Sequence, residues 1–327
     1  MMAIFKKKEK EADAYNELDS KKNASNVSDG MLRFNRVSPF ANAMFSALFI
    51  FIAAICVLPV LFVIIISFTA EKSIGTYGYS FFPKAFSVAS YQYVWNMRAL
   101  VGRSILNSVG ITVVGTCLGV ILTATMGYAL SRKSYKFRNF FTWFIFIPML
   151  FRGGTLASYV VNTQVMHLKD TYWALILPIC CSTFNIIIMR TFFTTTVPDE
   201  MIESGKIDGA SQLRIFVQLV LPICLPAIAT IALFLTFAYW NEWYLANIYI
   251  STSRTDLFPL QFVLVNIENK IQFLVNNAGN MSADSQDLPS ETMRMAIVVI
   301  AVVPIMFSYP FFQKYYISGL TVGAVKG

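Results

Sequence analysis

The sequence predicts an all-α polytopic membrane protein with six transmembrane helices. Of its 327 residues, 56% are hydrophobic and only 13% are charged, whereas soluble domains carry about 25% charged residues. Apolar stretches also recur at lengths that exceed the roughly 20 residues needed to cross a bilayer core as a helix. These predicted spans are 43–68, 104–130, 139–161, 172–193, 219–247 and 293–316.

The first span, 43–68, is predicted to remain as a helix rather than to be removed as a signal peptide. It begins far into the chain, is longer than a secretory apolar region and lacks a small-x-small exit. Residues 1–42 before it form a predicted cytoplasmic tail. Its first 30 residues mix Lys with Glu, Asp, Asn and Ser, as disordered segments do, and residues 31–42 have the apolar and basic composition of an interfacial helix.

The distribution of positive charge predicts that both termini lie in the cytoplasm. With the N-terminus inside, the inner segments hold 17 of the 26 Lys and Arg residues. These segments are 1–42, 131–138, 190–218 and 313–327, the last of which includes a predicted cytoplasmic C-terminal tail at 317–327. The net charge of +8 is therefore interpreted as topology in the cell membrane, not as binding of nucleic acid.

The residues that usually carry chemistry are few. The single histidine, His167, lies in a short loop, is interpreted as solvated, and belongs to no cluster with metal-ligand spacing. The sequence has no Gly-x4-Gly-Lys-Ser/Thr phosphate loop, so we expect ATP to be hydrolysed elsewhere. Cysteines in or beside spans are expected to pack rather than to form disulfides. They are Cys56, Cys117, Cys180, Cys181 and Cys224.

The polar stretch 198–226, between the fourth and fifth spans, predicts two short helices joined by a turn. Pro198 and the acids after it suit a helix N-terminus, and Gly209 permits the turn. Asp208 or Ser211 is placed to cap the second helix. Its predicted apolar side comprises Leu213, Ile215, Phe216, Leu219 and Val220. Such a pair is shaped to fit a groove on a cytosolic partner, and the alternative is an ordinary polar loop.

The spacing within this stretch resembles the EAA loop of binding-protein-dependent ABC importer permeases. The matching positions are Glu203, Asp208-Gly209-Ala210, Phe216, Pro222 and Pro226. Ser204 and Gly205 replace the two alanines that give that loop its name. Because glycine has a helix propensity about 1 kcal/mol poorer than alanine, we expect the first helix to be weaker or more mobile.

The resemblance extends from about residue 43 to the C-terminus. Four further segments look like carbohydrate-importer permeases of the maltose-permease superfamily, and within it like the branch associated with complex oligosaccharides in Gram-positive bacteria. These segments are 146–149, 173–178, 185–193 and 240–243. The resemblance implies the type I ABC importer permease fold for residues 43–316.

A division of labour follows from this resemblance. It implies a second homologous permease subunit, two cytosolic ATPase subunits that bind ATP and Mg, and an extracellular solute-binding protein that delivers an oligosaccharide. This chain itself would hold no cofactor. Phe216 is expected to provide an apolar knob for an ATPase groove. The implied ATPase-coupling residues are Glu203, Lys206, Asp208, Gly209, Ala210, Arg214 and Phe216.

Sugars are bound by aromatic faces and hydrogen-bonding side chains, and the outer end of the fifth span offers both. The candidate path residues there are Tyr239, Trp240, Asn241, Glu242 and Trp243. An acid such as Glu242 close to the membrane indicates a functional site, although interfacial aromatic residues also anchor any span. Arg152 either lines the path or extends toward the outer interface.

The longest predicted outer loop is 248–292. Long loops are usually functional or disordered, and by resemblance part of this one contacts the binding protein. The candidate contacts are Asn276, Asn277, Gly279 and Asn280. The alternative is an exposed loop without a partner.

Three other functions remain as alternatives. The first is an ABC importer permease for a non-sugar, peptide-like solute. The second is an ion-coupled secondary transporter, which would need intramembrane acids and inverted repeats, but only Glu242 qualifies and no such repeat is evident. The third is an intramembrane enzyme, which would need paired catalytic groups inside the spans.

Overall fold

The computed structural model describes residues 38–151, 153–276 and 290–324. Over these residues the secondary structure is helical, apart from an isolated antiparallel bridge between Thr69 and Phe86. The chain divides into two compact units, Met1–Phe62 and Val63–Gly327. Most of the predicted N-terminal tail therefore lies outside the described residues.

Two helices are long and apolar enough to cross a membrane unbroken, α1 (Pro39–Ser67) and α4 (Arg98–Ser131). Two short helices lie between them in the chain, α2 (Glu71–Tyr77) and α3 (Ala89–Asn96). The first two predicted spans are thus found, each a few residues longer at its N-terminal end.

The third, fourth and fifth spans are each a pair of helices bent at a break. The third comprises α5 (Arg138–Leu150) and α6 (Gly154–Val160), which continues as a π-helix to Val165. The fourth comprises α7 (Trp173–Cys180) and α8 (Thr183–Thr196), bent by 44°. Each of these two breaks follows a proline inside the preceding helix, Pro148 or Pro178. Proline weakens a helix because it removes the hydrogen bond to the carbonyl four residues earlier.

The segment after the fourth span contains α9 (Asp199–Ile207) and α10 (Gln212–Ile215), then a π-helical turn and α11 (Leu221–Ile223). The fifth span is α12 (Leu225–Trp240), bent by 83° from the segment Gln212–Ile223. The predicted span 219–247 was therefore wrong at both ends. With each bent pair counted as one crossing, the described residues searched give up to five spans.

The predicted outer loop 248–292 is helical over much of its described length. Helices α13 (Tyr244–Tyr249) and α14 (Leu260–Asn276) occupy the segment after α12. One face of α14 is buried in the core, through Leu260, Val263, Leu264, Ile267 and Ile271. This three-to-four-residue spacing is the signature of an amphipathic helix, so the helix could have been predicted. Helix α15 (Ser290–Ala324) contains the sixth predicted span.

Helix α4 approaches its neighbours closely through glycines. A Cβ on Gly115 would lie 2.4 Å from the Tyr239 ring, and one on Gly119 would lie 2.9 Å from the Cys180 carbonyl oxygen. Small residues let membrane helices pack at short distances. Helices α7, α8 and α12 therefore pack against α4, which forms the centre of the second unit.

The five cysteines are free, and of these Cys180 and Cys224 are buried while Cys56, Cys117 and Cys181 are exposed. His167 is exposed, and the described residues contain no group of three or more His, Cys, Asp or Glu side chains placed to hold a metal ion.

Candidate functional site

The predicted helix pair forms within 198–226, and its turn has defined geometry. Gly209 has φ of +78°. The Ala210 amide donates to the Gly205 carbonyl at 3.0 Å and the Gly209 amide donates to that of Lys206 at 3.0 Å. These two bonds make a Schellman motif, which places a left-handed residue just past the helix end. The expectation that Gly209 makes the turn is confirmed.

The second helix begins with a side-chain cap. Ser211 Oγ accepts a hydrogen bond from the Arg214 amide at 3.3 Å, which satisfies one of the amides that every helix start leaves unpaired. Of the two predicted caps, Ser211 is the one used. The turn between α9 and α10 is thus fixed by backbone and side-chain bonds on both sides.

Of the five apolar side chains expected on one side of the second helix, three are buried and two are exposed. Ile215, Phe216 and Val220 are buried, with Phe216 only 8% exposed. The Phe216 ring lies 4.8 Å from that of Tyr128 on α4 and 6.4 Å from that of Phe193 on α8. The prediction that Phe216 is an apolar knob for a partner was therefore wrong. It attaches the helix pair to the subunit's own core.

The outward surface of the pair combines two apolar side chains with charges. Ile207 is 86% exposed and Leu213 is 71% exposed, and we call this surface the outward face. The predicted coupling residues that lie exposed here are Glu203, Lys206, Asp208, Gly209 and Arg214, while Ala210 is half-buried. The Arg214 guanidinium donates to Gln218 Oε1 at 2.9 Å.

Gly205 packs the two helices together. It is buried, and a Cβ at this position would lie 3.2 Å from both Ile215 Cγ1 and Leu219 Cδ1. Such a contact is tighter than ordinary van der Waals packing, so alanine would require these side chains to shift. The glycine expected to weaken α9 also permits the close approach of α10, a role that helix propensity alone does not reveal.

Arg132 is a site residue that the sequence did not single out. The Arg132 guanidinium donates to Asp199 Oδ1 at 3.2 Å and to the Phe193 carbonyl at 3.2 Å. It also lies over the Tyr128 ring at 5.4 Å. Arg132 therefore joins the last turns of α4 and α8 to the first turn of α9.

No pattern in the sequence distinguishes Arg132 from the other cations of 131–138. Its side chain is 11% exposed, whereas the Lys133 side chain is 80% exposed. The tract was interpreted only as a positively charged inner loop. Its position directly after a span was the one available signal, and it does not say which cation turns inward.

Two of the predicted path residues belong to the core. Tyr239 and Trp240 are 2% and 6% exposed. The Tyr239 hydroxyl donates to the Ile176 carbonyl at 2.7 Å, and Trp240 Nε1 donates to the Ala301 carbonyl at 3.1 Å. Their assignment to the substrate path was wrong, because buried aromatic residues with satisfied polar atoms tie helices together.

The remaining path residues lie at the end of α12. Asn241 and Trp243 are exposed. Glu242 Oε1 accepts a hydrogen bond from the Leu245 amide at 2.7 Å, so this acid caps α13. Arg152, Asn277, Gly279 and Asn280 lie outside the described residues, and Asn276 is the last residue of α14.

Comparison with known proteins places these features in a family. The sequence model for "binding-protein-dependent transport system inner membrane component" matches residues 115–322. The polygalacturonan/rhamnogalacturonan transport system permease protein YtcP of Bacillus subtilis (strain 168) is 37% identical over 84% of this chain and 94% of its own length. Protein LplC of the same strain is 38% identical over 84% of this chain and 91% of its own length.

A solved structure has a similar fold. It belongs to a bacterial ABC transporter involved in the import of the acidic polysaccharide alginate. The similarity has a TM-score of 0.70 at 26% sequence identity, and it covers 86% of this chain and 98% of that one. The predicted all-α permease fold is therefore confirmed.

Proposed function

The chain belongs to the family of binding-protein-dependent transport system inner membrane components, and we propose that it forms half of the path by which an ABC importer carries an oligosaccharide. As a family member it is a multi-pass membrane permease subunit and a transport component rather than an enzyme. Relatives named for the transport of polygalacturonan/rhamnogalacturonan and of arabinooligosaccharides, together with the alginate importer, support the choice of oligosaccharide.

In this proposal the outward face of α9 and α10 docks a cytosolic ATPase. The observation that carries it is the exposure of Ile207 and Leu213 outside the spans, with charged Glu203, Lys206 and Arg214 around them. An apolar centre with a charged rim is the composition of a protein interface. The buried Phe216 would then transmit movement of the ATPase into α4 and α8, since its ring contacts both helices.

The remaining parts of the importer follow from the same proposal. A second homologous permease completes the path, two ATPase subunits bind ATP and Mg, and an extracellular solute-binding protein delivers the sugar. Residues 1–42 and 317–327 lie on the ATPase side of the membrane, with 43–316 as the permease domain. Asn276, Asn277, Gly279 and Asn280 are the proposed contacts with the binding protein.

The test measures ATPase association and sugar uptake together. In cells that carry the complete importer, we expect Glu203→Lys and Leu213→Asp to remove the ATPase from the purified complex and to lower uptake of tritiated oligogalacturonides at least tenfold. Lys270→Glu, an exposed charge reversal on α14, is the matched control and should retain the ATPase. ATPase association and uptake both unchanged in Glu203→Lys and Leu213→Asp would refute the docking surface.

The cargo is tested separately. We expect the wild-type importer to take up oligogalacturonides or arabino-oligosaccharides, and uptake of a peptide in place of both sugars would refute the carbohydrate assignment. Dependence on an ion gradient without ATP would favour a secondary transporter and overturn the proposal as a whole.

A further inference from the structure

A cavity of about 730 Å³ lies among α5, α6, α7 and α13. Its volume is within the range of about 300–1,000 Å³ that is usual for small-molecule sites. Residues around two of the helix breaks contribute to its walls, as do two tyrosines of α13. The walls include Phe151, Gly154, Pro178, Tyr244, Ile248 and Tyr249.

One wall of this cavity is a polar stripe along α6 and its π-helical extension. Thr155, Ser158 and Asn162 follow one another at three- and four-residue intervals along α6 and its π-helical extension, so they share one face. Asn162 Nδ2 donates to the Tyr249 hydroxyl at 2.9 Å, and Thr155 Oγ1 lies 3.5 Å from the Tyr244 hydroxyl. Polar side chains in a span usually face a bundle interior or a water-filled cavity.

The backbone around the cavity also favours a wet site. Helix α5 ends at Leu150 and α6 begins at Gly154, while α7 ends at Cys180 just beyond Pro178. At membrane depth, irregular backbone is tolerated only where protein buries it or where it lines a water-filled cavity. The π-helix Val161–Val165 adds a further irregularity of a kind that often marks functional sites.

We propose that this cavity is where the subunit contacts the carbohydrate in transit. The ring of Tyr244, which is 46% exposed, provides the face against which the C–H surface of a sugar packs. Thr155, Ser158 and Asn162 provide groups for hydrogen bonds to its hydroxyls. This inference rests on the proposed function, because it takes the cargo to be a carbohydrate. It moves the sugar contact from Tyr239 and Trp240 on α12, which are buried, to Tyr244 on α13.

The first experiment fills the cavity. In cells that carry the complete importer, we expect Ser158→Phe to lower uptake of tritiated oligogalacturonides and arabino-oligosaccharides at least tenfold. Leu156→Phe is the matched control, because Leu156 lies on the same helix, is 78% exposed and does not line the cavity. Its uptake should remain within twofold of wild type.

The second experiment removes the ring. Tyr244→Ala should lower uptake of both sugars by a similar factor, whereas Tyr244→Phe keeps the ring and should lower uptake less than Tyr244→Ala does. Both variants should retain the ATPase on purification, which shows that the complex is assembled.

Wild-type uptake of both sugars by Ser158→Phe and Tyr244→Ala would overturn the inference. If Glu203→Lys still abolished uptake in the same cells, the proposed function would stand and the cavity assignment alone would fail. An equal loss in Leu156→Phe and Ser158→Phe would also overturn it, because the effect would then not depend on the cavity.

Discussion

The two ends of α4 hold neighbouring segments by different kinds of bond. In its N-terminal third, α4 binds the segment 250–260 through neutral hydrogen bonds. Just past its last turn, Arg132 binds α9 through a charge. Asn107 Nδ2 donates to the carbonyls of Asp256 at 2.8 Å and Phe258 at 3.1 Å. Ser108 Oγ accepts from the Leu260 amide at 2.7 Å. At the other end the Arg132 guanidinium binds both Asp199 and the Phe193 carbonyl.

The difference lies in solvent exposure. The Ser108–Leu260 bond is buried, so water cannot replace it. This bond therefore fixes the first residue of α14 to α4. Asp199 is 48% exposed, so water weakens its ion pair, and the Phe193 carbonyl and the Tyr128 ring must hold Arg132 as well. The buried end therefore positions α14, while the charged end couples α9 to two spans at a boundary with solvent.

The largest effect is expected from breaking the charged end. Arg132→Ala should destabilise the second unit by about 2 kcal/mol, because the Phe193 carbonyl loses a charged donor and Asp199, being half-exposed, is partly resolvated. Since the first turn of α9 would lose the Arg132 contacts that hold it near α4 and α8, we also expect at least tenfold lower sugar uptake and a loss of ATPase from the purified complex.

Lys133→Ala is the matched control for this variant. Lys133 Nζ lies 3.6 Å from the same Asp199 carboxylate, yet its side chain is 80% exposed. Exposed ion pairs contribute about 0–1 kcal/mol, so thermal unfolding and uptake should remain near wild type. Equal effects of the two substitutions would mean that charge near Asp199, rather than the buried contacts of Arg132, holds the helix pair.

A smaller effect confined to α14 is expected from Ser108→Ala. The variant leaves the buried Leu260 amide without its acceptor, at a cost of about 1–2 kcal/mol. Hydrogen exchange should rise across 260–276 while the ATPase remains bound. Ser104→Ala is the control, because Ser104 is equally buried on α4 but its hydroxyl has no partner among the described residues. A loss of ATPase in Ser108→Ala would contradict the separation of the two ends.

The contrast between local and long-range determinants explains what could be predicted from the sequence. The spans follow from composition and length, and the α9–α10 turn follows from Gly209 and Ser211, whose local backbone chemistry does not depend on distant residues. Helix α14 was missed although its apolar spacing was visible, because its polar surroundings were interpreted as a loop.

Long-range contacts account for the remaining errors. Phe216, Tyr239 and Trp240 have the residue types of exposed binding groups, and only the packing of α4, α8 and α12 shows that they face inward. Likewise, the role of Arg132 depends on a carbonyl 61 residues away in the chain, which no local pattern reports.

The smallest expected effect is a pH dependence of the link between Asp170 and Ser251. Asp170 accepts hydrogen bonds from the Ser251 amide at 2.5 Å and from the Ser251 hydroxyl at 2.8 Å. These bonds, led by the one from the amide, lower the pKa of the Asp170 carboxyl below its ordinary value, which is about 3.9. A carboxyl with a lowered pKa in the folded state stabilises that state above the ordinary value. The stabilisation is lost as pH falls through the lowered pKa.

We therefore expect the link between the loop around Asp170 and the segment after α13 to be unchanged from pH 7 to about pH 5 and to weaken only below about pH 4. Asp170→Asn should remove the part of the acid sensitivity that arises from this carboxyl, because an amide does not titrate. Thermal unfolding of the purified complex at pH 6 and at pH 3.5 measures the difference. The effect should be smaller than that of Ser108→Ala, because Asp170 is only partly buried and water competes for its oxygens. An identical fall in the unfolding temperature of wild type and Asp170→Asn over this range would assign the acid sensitivity to other carboxyls.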